Sequence, residues 1–291
     1  MRGGRGGTHD EGVTVAPSPT VPLPAGTALP VIGLGTGGLD DDAAASTVAT
    51  AVEQGYRLVD TAESYGNERG VGLALRRSGV PREQLLVATK FSSPWHGRDL
   101  VARALDASLE RLGLDYVDLL LVHWPNPRQD RYVEAWQGLL DLRAAGRIRA
   151  AGVSNFTPAH LERLRRETGQ LPEVNQIQLC PTALRPDLVA FHRRHGIVTQ
   201  TWSPLGRGAT GLLAAPAVTA AAGRLGVTPG QVVLRWHVQQ GLCAVPLSRD
   251  PQRMRDNLDV FGFALTPEEM AALDALDGTG REILDAEVVF R

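Results

Sequence analysis

Lysine is almost absent from this chain. Of its 30 basic residues only Lys90 is lysine; the other 29 are arginine. A coding bias toward arginine accounts for the excess but not for the one survivor. The two side chains differ in kind: arginine is a broad, permanently charged fork, and lysine is a compact ammonium whose pKa responds to its surroundings. Cysteine is scarce too. Cys180 and Cys243 cannot build a disulfide framework, and no C-x-x-C or Cys/His zinc spacing occurs, so no metal is expected. A reducing compartment, the cytoplasm, is the expected home. No apolar run approaches the roughly 18–20 residues that span a bilayer. An excess of one charge is also missing: 30 bases against 32 acids leave a formal net charge of -2. That excludes gross attraction to nucleic acid or to an anionic membrane. What is present is ordinary for a folded protein, with 43% hydrophobic and 21% charged residues. A length of 291 residues suits one large domain or two small ones.

Residues 1–19 are rich in Gly, Pro and charge, and lack both the apolar stretch of a secretory signal and the pattern of a transit peptide. They read as a disordered tail before a domain over 20–291. Short apolar runs around Pro24-Ala25-Gly26 predict a small hairpin. From there one pattern repeats: a short β-branched run, a polar loop, a helix-period stretch. The predicted strands are Val31–Leu34, Leu58–Asp60, Leu85–Thr89, Val117–His123, Ala150–Val153, Val174–Gln178, Val198–Trp202 and Ala244–Leu247. The predicted helices are Asp41–Gln54, Glu68–Arg77, Asp99–Leu112, Val133–Ala145, Pro158–Glu167, Asp187–Arg194 and Pro229–Gln240, with an extra one at Ala217–Leu225. Thr157-Pro158, Thr228-Pro229 and Thr266-Pro267 each put a cap residue before a first-turn proline. Eight strands with helices between them, and no break in composition, predict an α/β fold: a single (β/α)8 TIM barrel with an N-terminal β-hairpin.

A competing fold has one motif in its favour. Gly33-Leu34-Gly35-Thr36-Gly37-Gly38 fits G-x-G-x-x-G, and Asp60 follows about 20 residues on, as in a dinucleotide-binding βαβ unit. The next helix, however, opens on Asp40-Asp41-Asp42, which would repel a pyrophosphate from the site that should attract it. That reading also leaves the later strands without a role.

In a barrel the chemistry sits at the C-terminal ends of the strands. Those ends carry Asp60 and Tyr65, then Lys90, then His123. Each has a bland explanation alone: an ion pair, a rim aromatic, a satisfied core histidine. Together they supply what carbonyl reduction needs. Hydride arriving at the carbonyl carbon leaves an alkoxide, so a proton donor must meet the oxygen. A tyrosine is a poor acid unless a cation lowers its pKa. Lys90 can do so, Asp60 can hold Lys90 charged, and His123 can orient and polarise the carbonyl. A lysine at such a strand end could instead form a Schiff base, but that nucleophile must be neutral and Asp60 opposes neutrality. A non-enzymatic reading, a cofactor-binding regulatory subunit, is disfavoured by the complete set of four.

These residues sit in longer stretches: Gly55-Tyr56-Arg57-Leu58-Val59-Asp60-Thr61-Ala62, Tyr65-Gly66-Asn67-Glu68, Leu121-Val122-His123-Trp124-Pro125, Gly152-Val153-Ser154-Asn155-Phe156, Asn175-Gln176-Ile177, Ser203-Pro204-Leu205-Gly206-Arg207-Gly208 and Asn257-Leu258-Asp259-Val260-Phe261. On them the chain resembles the aldo-keto reductase family over Thr20 to Asp277, in wording similar to the bacterial branch that includes 2,5-diketo-gluconate reductases. The resemblance implies an NADPH-binding barrel with Asp60, Tyr65, Lys90 and His123 as a catalytic tetrad. It implies that Ser154, Asn155 and Gln176 bond the nicotinamide carboxamide, and that Trp202, where the family usually has Tyr, stacks on the ring. Thr36, Ser203, Leu205, Ser248, Arg249, Arg253, Asp256 and Asn257 complete the cofactor contacts implied. Trp124 is implied to line the substrate pocket, and Trp95 suggests a further apolar wall.

The clearest departure is at the adenine end. The family pattern Val/Ile-Pro-Lys-Ser here reads Val245-Pro246-Leu247-Ser248. A cation that would meet the 2′-phosphate is lost, and Asp250 adds an acid nearby. Weakened preference for NADPH and appreciable use of NADH are expected. The expected partner is a small aldehyde, α-keto compound or keto-sugar, with neither nucleic acid nor membrane, and the chain is read as a monomer or weak oligomer. Whether Val288, Val289 and Phe290 fold over the pocket is left open.

Overall fold

The computed structural model describes residues 18–24, 26–208, 211–280 and 282–289. The predicted tail is therefore outside the described residues except for Ser18 and Pro19, and so are Ala25 and Phe290. Strands β1 (Thr20–Pro22) and β2 (Ala28–Pro30) form the antiparallel hairpin. Eight parallel strands follow: β3 (Leu34–Gly35), β4 (Leu58–Asp60), β5 (Leu86–Phe91), β6 (Val117–Val122), β7 (Ile148–Ser154), β8 (Val174–Gln178), β9 (Val198–Trp202) and β10 (Cys243–Val245). They pair in sequence order. A parallel bridge between Ile32 and Ala244, with Gly33 N–H on the Ala244 carbonyl at 2.9 Å, brings the last strand back to the first.

Between the strands run α1 (Asp41–Glu53), α2 (Glu68–Arg77), α3 (Val101–Leu112), α4 (Tyr132–Ala144), α5 (Pro158–Thr168), α6 (Pro186–His195), α7 (Pro216–Leu225) and α8 (Pro229–Gln239). Then α9 (Pro251–Leu258) and α10 (Pro267–Asp274) follow the last strand. Thr157, Thr228 and Thr266 each cap a helix in a reciprocal box with the residue three positions on. No helix among the described residues is long and apolar enough to cross a membrane.

Alternation along the strands divides the core in two. Outward residues such as Val59, Val87, Leu120 and Val122 join the layer between sheet and helices. Inward residues such as Leu58, Leu86, Ala88, Leu119, Leu121 and Val174 fill the barrel, closed below by Leu23 and Leu29 of the hairpin. Period two is what places the chemistry. Continuing the inward series one step toward the C-terminal ends reaches Asp60 after Leu58, Lys90 after Ala88, His123 after Leu121 and Gln176 after Val174.

The sequence and the structure differ at some edges. The first barrel strand is Leu34–Gly35 rather than Val31–Leu34, because residues 31–33 contribute bridge and loop hydrogen bonds to the last strand instead of a ladder. Lys90 lies inside β5, not past its end. The last strand stops at Val245, before Pro246, which has no N–H to donate. Helix α9 is an addition, announced by Asp250-Pro251, the same cap-and-proline pattern as the other three. The G-x-G-x-x-G spacing is a product of barrel closure. A Cβ on Gly33 would lie 2.5 Å from Leu58, and one on Gly35 would lie 2.8 Å from the Val245 carbonyl oxygen.

Candidate functional site

A cavity of about 660 Å³ opens at the C-terminal mouth of the barrel. Asp60, Tyr65 and His123 lie in its wall, and Lys90 lies beneath it, fully buried. Lys90 Nζ donates to Asp60 Oδ1 at 2.7 Å, to the Thr61 carbonyl at 2.9 Å and to Tyr65 Oη at 3.5 Å. Burial alone would push the ammonium toward neutrality. The Asp60 carboxylate and the Tyr65 phenol outweigh it, and the Lys90 pKa is raised above its usual value. Tyr65 rides on a 3-10 turn, Glu63–Tyr65, anchored because Glu63 accepts from the Trp95 indole at 2.7 Å and from Ser92 N–H at 3.2 Å. Its ring meets His123 edge-on, with centroids 5.8 Å apart. Ser64 Oγ lies 3.4 Å from His123 Nδ1.

Further hydrogen bonds hold this set in place. The other Asp60 oxygen, Oδ2, accepts from Gln176 Nε2 at 2.7 Å. Thr89, next to Lys90 but facing outward, donates to buried Glu68 at 2.6 Å, and Glu68 also accepts from Arg111. Asn67 ties the β3–α1 loop down through the Thr36 and Leu39 carbonyls.

Above the tetrad, Ser154, Asn155, Gln176, Trp202, Ser203 and Leu205 line the same cavity. Gln176 Nε2 serves both Asp60 and Gln200 Oε1, and no bond from the described residues engages its Oε1. Asn155, at a left-handed φ of 65°, accepts from the Trp202 indole N–H at 2.9 Å and donates to the His123 carbonyl at 3.1 Å. The Ser154 hydroxyl donates to the Gln176 carbonyl at 2.8 Å and accepts from Asn155 at 3.0 Å, so its remaining lone pair joins the Gln176 amide acceptor and the indole face in one cavity. That set fits a flat ring bearing a carboxamide, as a nicotinamide does.

Other predicted residues are placed outside the cavity lining. Thr36 is buried, with its hydroxyl on the Asp60 carbonyl at 3.0 Å. Ser248, Arg249, Arg253, Asp256 and Asn257 lie on the segment after β10 and on α9, and the cavity reaches that end through Val245, Pro246 and Leu247. Asp250 caps α9, accepting from Arg253 N–H at 2.9 Å, and that backbone bond holds its carboxyl below the usual range. Trp124 lines the cavity; Trp95 does not.

Sequence reasoning gave no role to several lining positions, among them Ser64, Arg207, Gly37 and Leu284. Arg207 stood inside a quoted motif but drew no role, and Ser64 lies just before the quoted Tyr65-Gly66-Asn67-Glu68. Gly37 brings its backbone against the Tyr65 ring, where a Cβ would lie 3.4 Å away. Leu284 belongs to the C-terminal tail, whose Val288 is exposed. Gln178 at the end of β8 fixes that tail, accepting from Leu284 N–H at 3.0 Å and donating to the Glu282 carbonyl at 3.3 Å.

Comparison with known proteins gives a consistent picture. The model of the Aldo/keto reductase family matches residues 31–278. An aldo-keto reductase of Mycolicibacterium vanbaalenii is 49% identical over 264 residues, covering 91% of this chain and 94% of its own. The 2,5-diketo-D-gluconic acid reductase B of a Corynebacterium species is 47% identical over 259 residues, covering 89% and 93%. Among solved structures, a variant of Gox0644 in complex with NADPH superposes with a TM-score of 0.88 at 39% identity, over 94% of this chain and 99% of that one.

Proposed function

The chain belongs to the aldo/keto reductase family of oxidoreductases, and on that premise we propose that it reduces an aldehyde or ketone to an alcohol, with Tyr65 as proton donor. The observation that carries this is the position of Lys90, whose buried ammonium touches Asp60 on one side and the Tyr65 phenol on the other at the cavity floor.

A reduced nicotinamide dinucleotide, when bound, supplies the hydride. Gln176 Oε1 and the Ser154 hydroxyl hold its carboxamide, Asn155 completes that pocket, and Trp202 gives the stacking face. Thr36, Ser203 and Leu205 shape the wall. Ser248, Arg249, Arg253, Asp256 and Asn257 face the adenine end. As negative charge grows on the carbonyl oxygen, Tyr65 Oη delivers its proton there. The phenolate left behind is stabilised by Lys90, which Asp60 keeps protonated. In this reading His123 takes the tautomer protonated on Nε2, with Ser64 Oγ 3.4 Å from its Nδ1, and donates to the same oxygen. Trp124 and Leu284 limit water at the reacting centre. Tyr65 is reprotonated afterwards from solvent through the open mouth.

Gox0644 was solved with NADPH, which supports this cofactor class. At the adenine end, Leu247 is exposed and apolar, Asp250 is anionic, and Arg249, Arg253 and Arg255 are exposed cations. We infer appreciable use of NADH beside NADPH. The Corynebacterium relative is named for a keto-sugar acid, which supports a small polar carbonyl substrate. Two free, buried cysteines suit the cytoplasm.

The test is a panel of aldehydes, α-keto compounds and keto-sugars, run with NADH and with NADPH and followed at the reduced-nicotinamide absorbance. Carbonyl-dependent cofactor oxidation is expected. Its absence across the panel with both cofactors contradicts the proposal.

A further inference from the structure

We propose that Arg207, seated against the indole of Trp202, biases the cavity toward the reduced, uncharged form of a nicotinamide dinucleotide and against the oxidised, cationic form. The inference rests on the reading above that Trp202 stacks on the nicotinamide.

Both side chains are held in place. The Trp202 indole N–H donates to Asn155 Oδ1 at 2.9 Å, and Asn155 is itself bonded to the His123 carbonyl and to Ser154 Oγ. One edge of the ring is therefore tied to the ends of β6 and β7 as well as to its own strand. The Arg207 guanidinium carbon lies 5.4 Å from the indole centroid. Its Nε donates to Ser203 Oγ at 2.8 Å. Ser203 and Arg207 both adopt left-handed backbone, with φ of 53° and 55°, which L side chains enter only under constraint. The loop thus holds an uncommon conformation in which the guanidinium reaches the ring.

The charge pattern makes the consequence specific. Among the described residues, Asp60 and Arg207 are the only Asp, Glu, Lys or Arg side chains in the cavity lining. Asp60 is neutralised by Lys90 at 2.7 Å. The described hydrogen-bond partner of Arg207 is a neutral hydroxyl. Among the described residues, the positive charge of Arg207 is therefore the uncompensated one in the wall.

Oxidised and reduced dinucleotides differ by one positive charge on the nicotinamide ring. A bare indole face attracts a cation through its quadrupole. A guanidinium already against that indole opposes the attraction and adds Coulomb repulsion. The pyrophosphate carries the same charge in both forms, so any pull from Arg207 on it cancels in their ratio. Arg207 is exposed, so solvent limits the effect. The scale of exposed cation–π contacts puts it at roughly two- to fivefold in relative affinity.

The experiment is isothermal titration of the full chain with NADH, NAD+, NADPH and NADP+. It compares the unmodified protein with Arg207→Gln and with Arg207→Lys. The ratio Kd(oxidised)/Kd(reduced) is expected to fall two- to fivefold in Arg207→Gln and to hold in Arg207→Lys, which keeps the charge. An unchanged ratio in Arg207→Gln overturns the inference, even if both affinities fall together, since equal losses mean a phosphate contact or a structural role. Failure of all four nucleotides to bind the unmodified protein overturns the stacking reading itself, and this inference with it. The two failures are distinct in the data.

Discussion

Lys90 Nζ lies 2.7 Å from Asp60 Oδ1, with the lysine side chain fully buried and the aspartate side chain 4% exposed. Burying two charges costs several kcal/mol of hydration, and such a pair seldom stabilises a fold better than apolar residues would. Here the pair sits at the floor of a cavity and against a phenol, which gives it a use beyond folding.

Stability and activity should therefore separate at this pair. Lys90→Met leaves Asp60 buried and unpaired, at a cost of about 3–5 kcal/mol. Adding Asp60→Asn removes that charge and should recover most of the loss in denaturant unfolding. Turnover should stay at least about 100-fold down in both variants. A double variant as active as the parent would mean that the ammonium serves only the fold.

Leu247 stands where the resemblance leads one to expect a phosphate-binding cation. Leu247→Lys should raise kcat/KM with NADPH relative to NADH by roughly 10- to 150-fold, the scale of one charge-assisted hydrogen bond. Steady-state kinetics with both cofactors measure it. No gain in NADPH preference would show that the position does not face the 2′-phosphate.

Gln178 grips the C-terminal tail on both sides of Ile283 and so holds Leu284 in the cavity wall. Gln178→Ala gives up two neutral hydrogen bonds of about 0.5–1.5 kcal/mol each. Substrate KM is expected to rise roughly five- to tenfold, while kcat stays within about twofold because no reacting group moves. A fall in kcat at constant KM would place Gln178 in the chemistry instead.

His96 is buried, and neither ring nitrogen has a hydrogen-bond partner among the described residues. Burial, then the nearby Arg131 guanidinium, lower its pKa to about 4. The unfolded chain binds a proton near pH 6.5, so between about 6.5 and 4 the unfolded state holds more protons than the folded one. Stability is then full above 6.5 and falls as pH drops through that window, by up to about 1.4 kcal/mol per pH unit for each such histidine. His192 and His237, lowered to about 3 and about 4, add to the same slope. His96→Phe should flatten the fall of unfolding free energy between pH 6.5 and 4 without loss at pH 7.5. An equal slope in the variant would mean that His96 does not titrate on unfolding.

Much of this site was legible in the sequence because strand periodicity and strand-end position are local properties. Asp60, Lys90, His123 and Gln176 each fall one inward step past an apolar residue, and the alternation can be read without coordinates. Helix starts were equally legible where a capping threonine preceded a proline. Asp250-Pro251 carried the same signal, yet the acid there was read only for its charge, so α9 was missed. The contacts that escaped join segments far apart in the chain. Gln178 to the tail, and the Trp202 indole to Asn155, depend on how neighbouring strands stagger and where the last residues return. Arg207 was unreadable for another reason: its reach to the indole depends on two left-handed residues that the sequence gives no cause to expect.

The central claim is that the Tyr65 phenol hands its proton to the carbonyl oxygen. Tyr65→Phe, assayed for single-turnover reduction of a substrate found in the carbonyl panel, tests it most directly, with cofactor Kd measured alongside. The expected result is a rate loss of about 10²- to 10⁴-fold with cofactor Kd changed less than about threefold. A Phe variant that reduces the carbonyl within about tenfold of the parent rate would contradict the account.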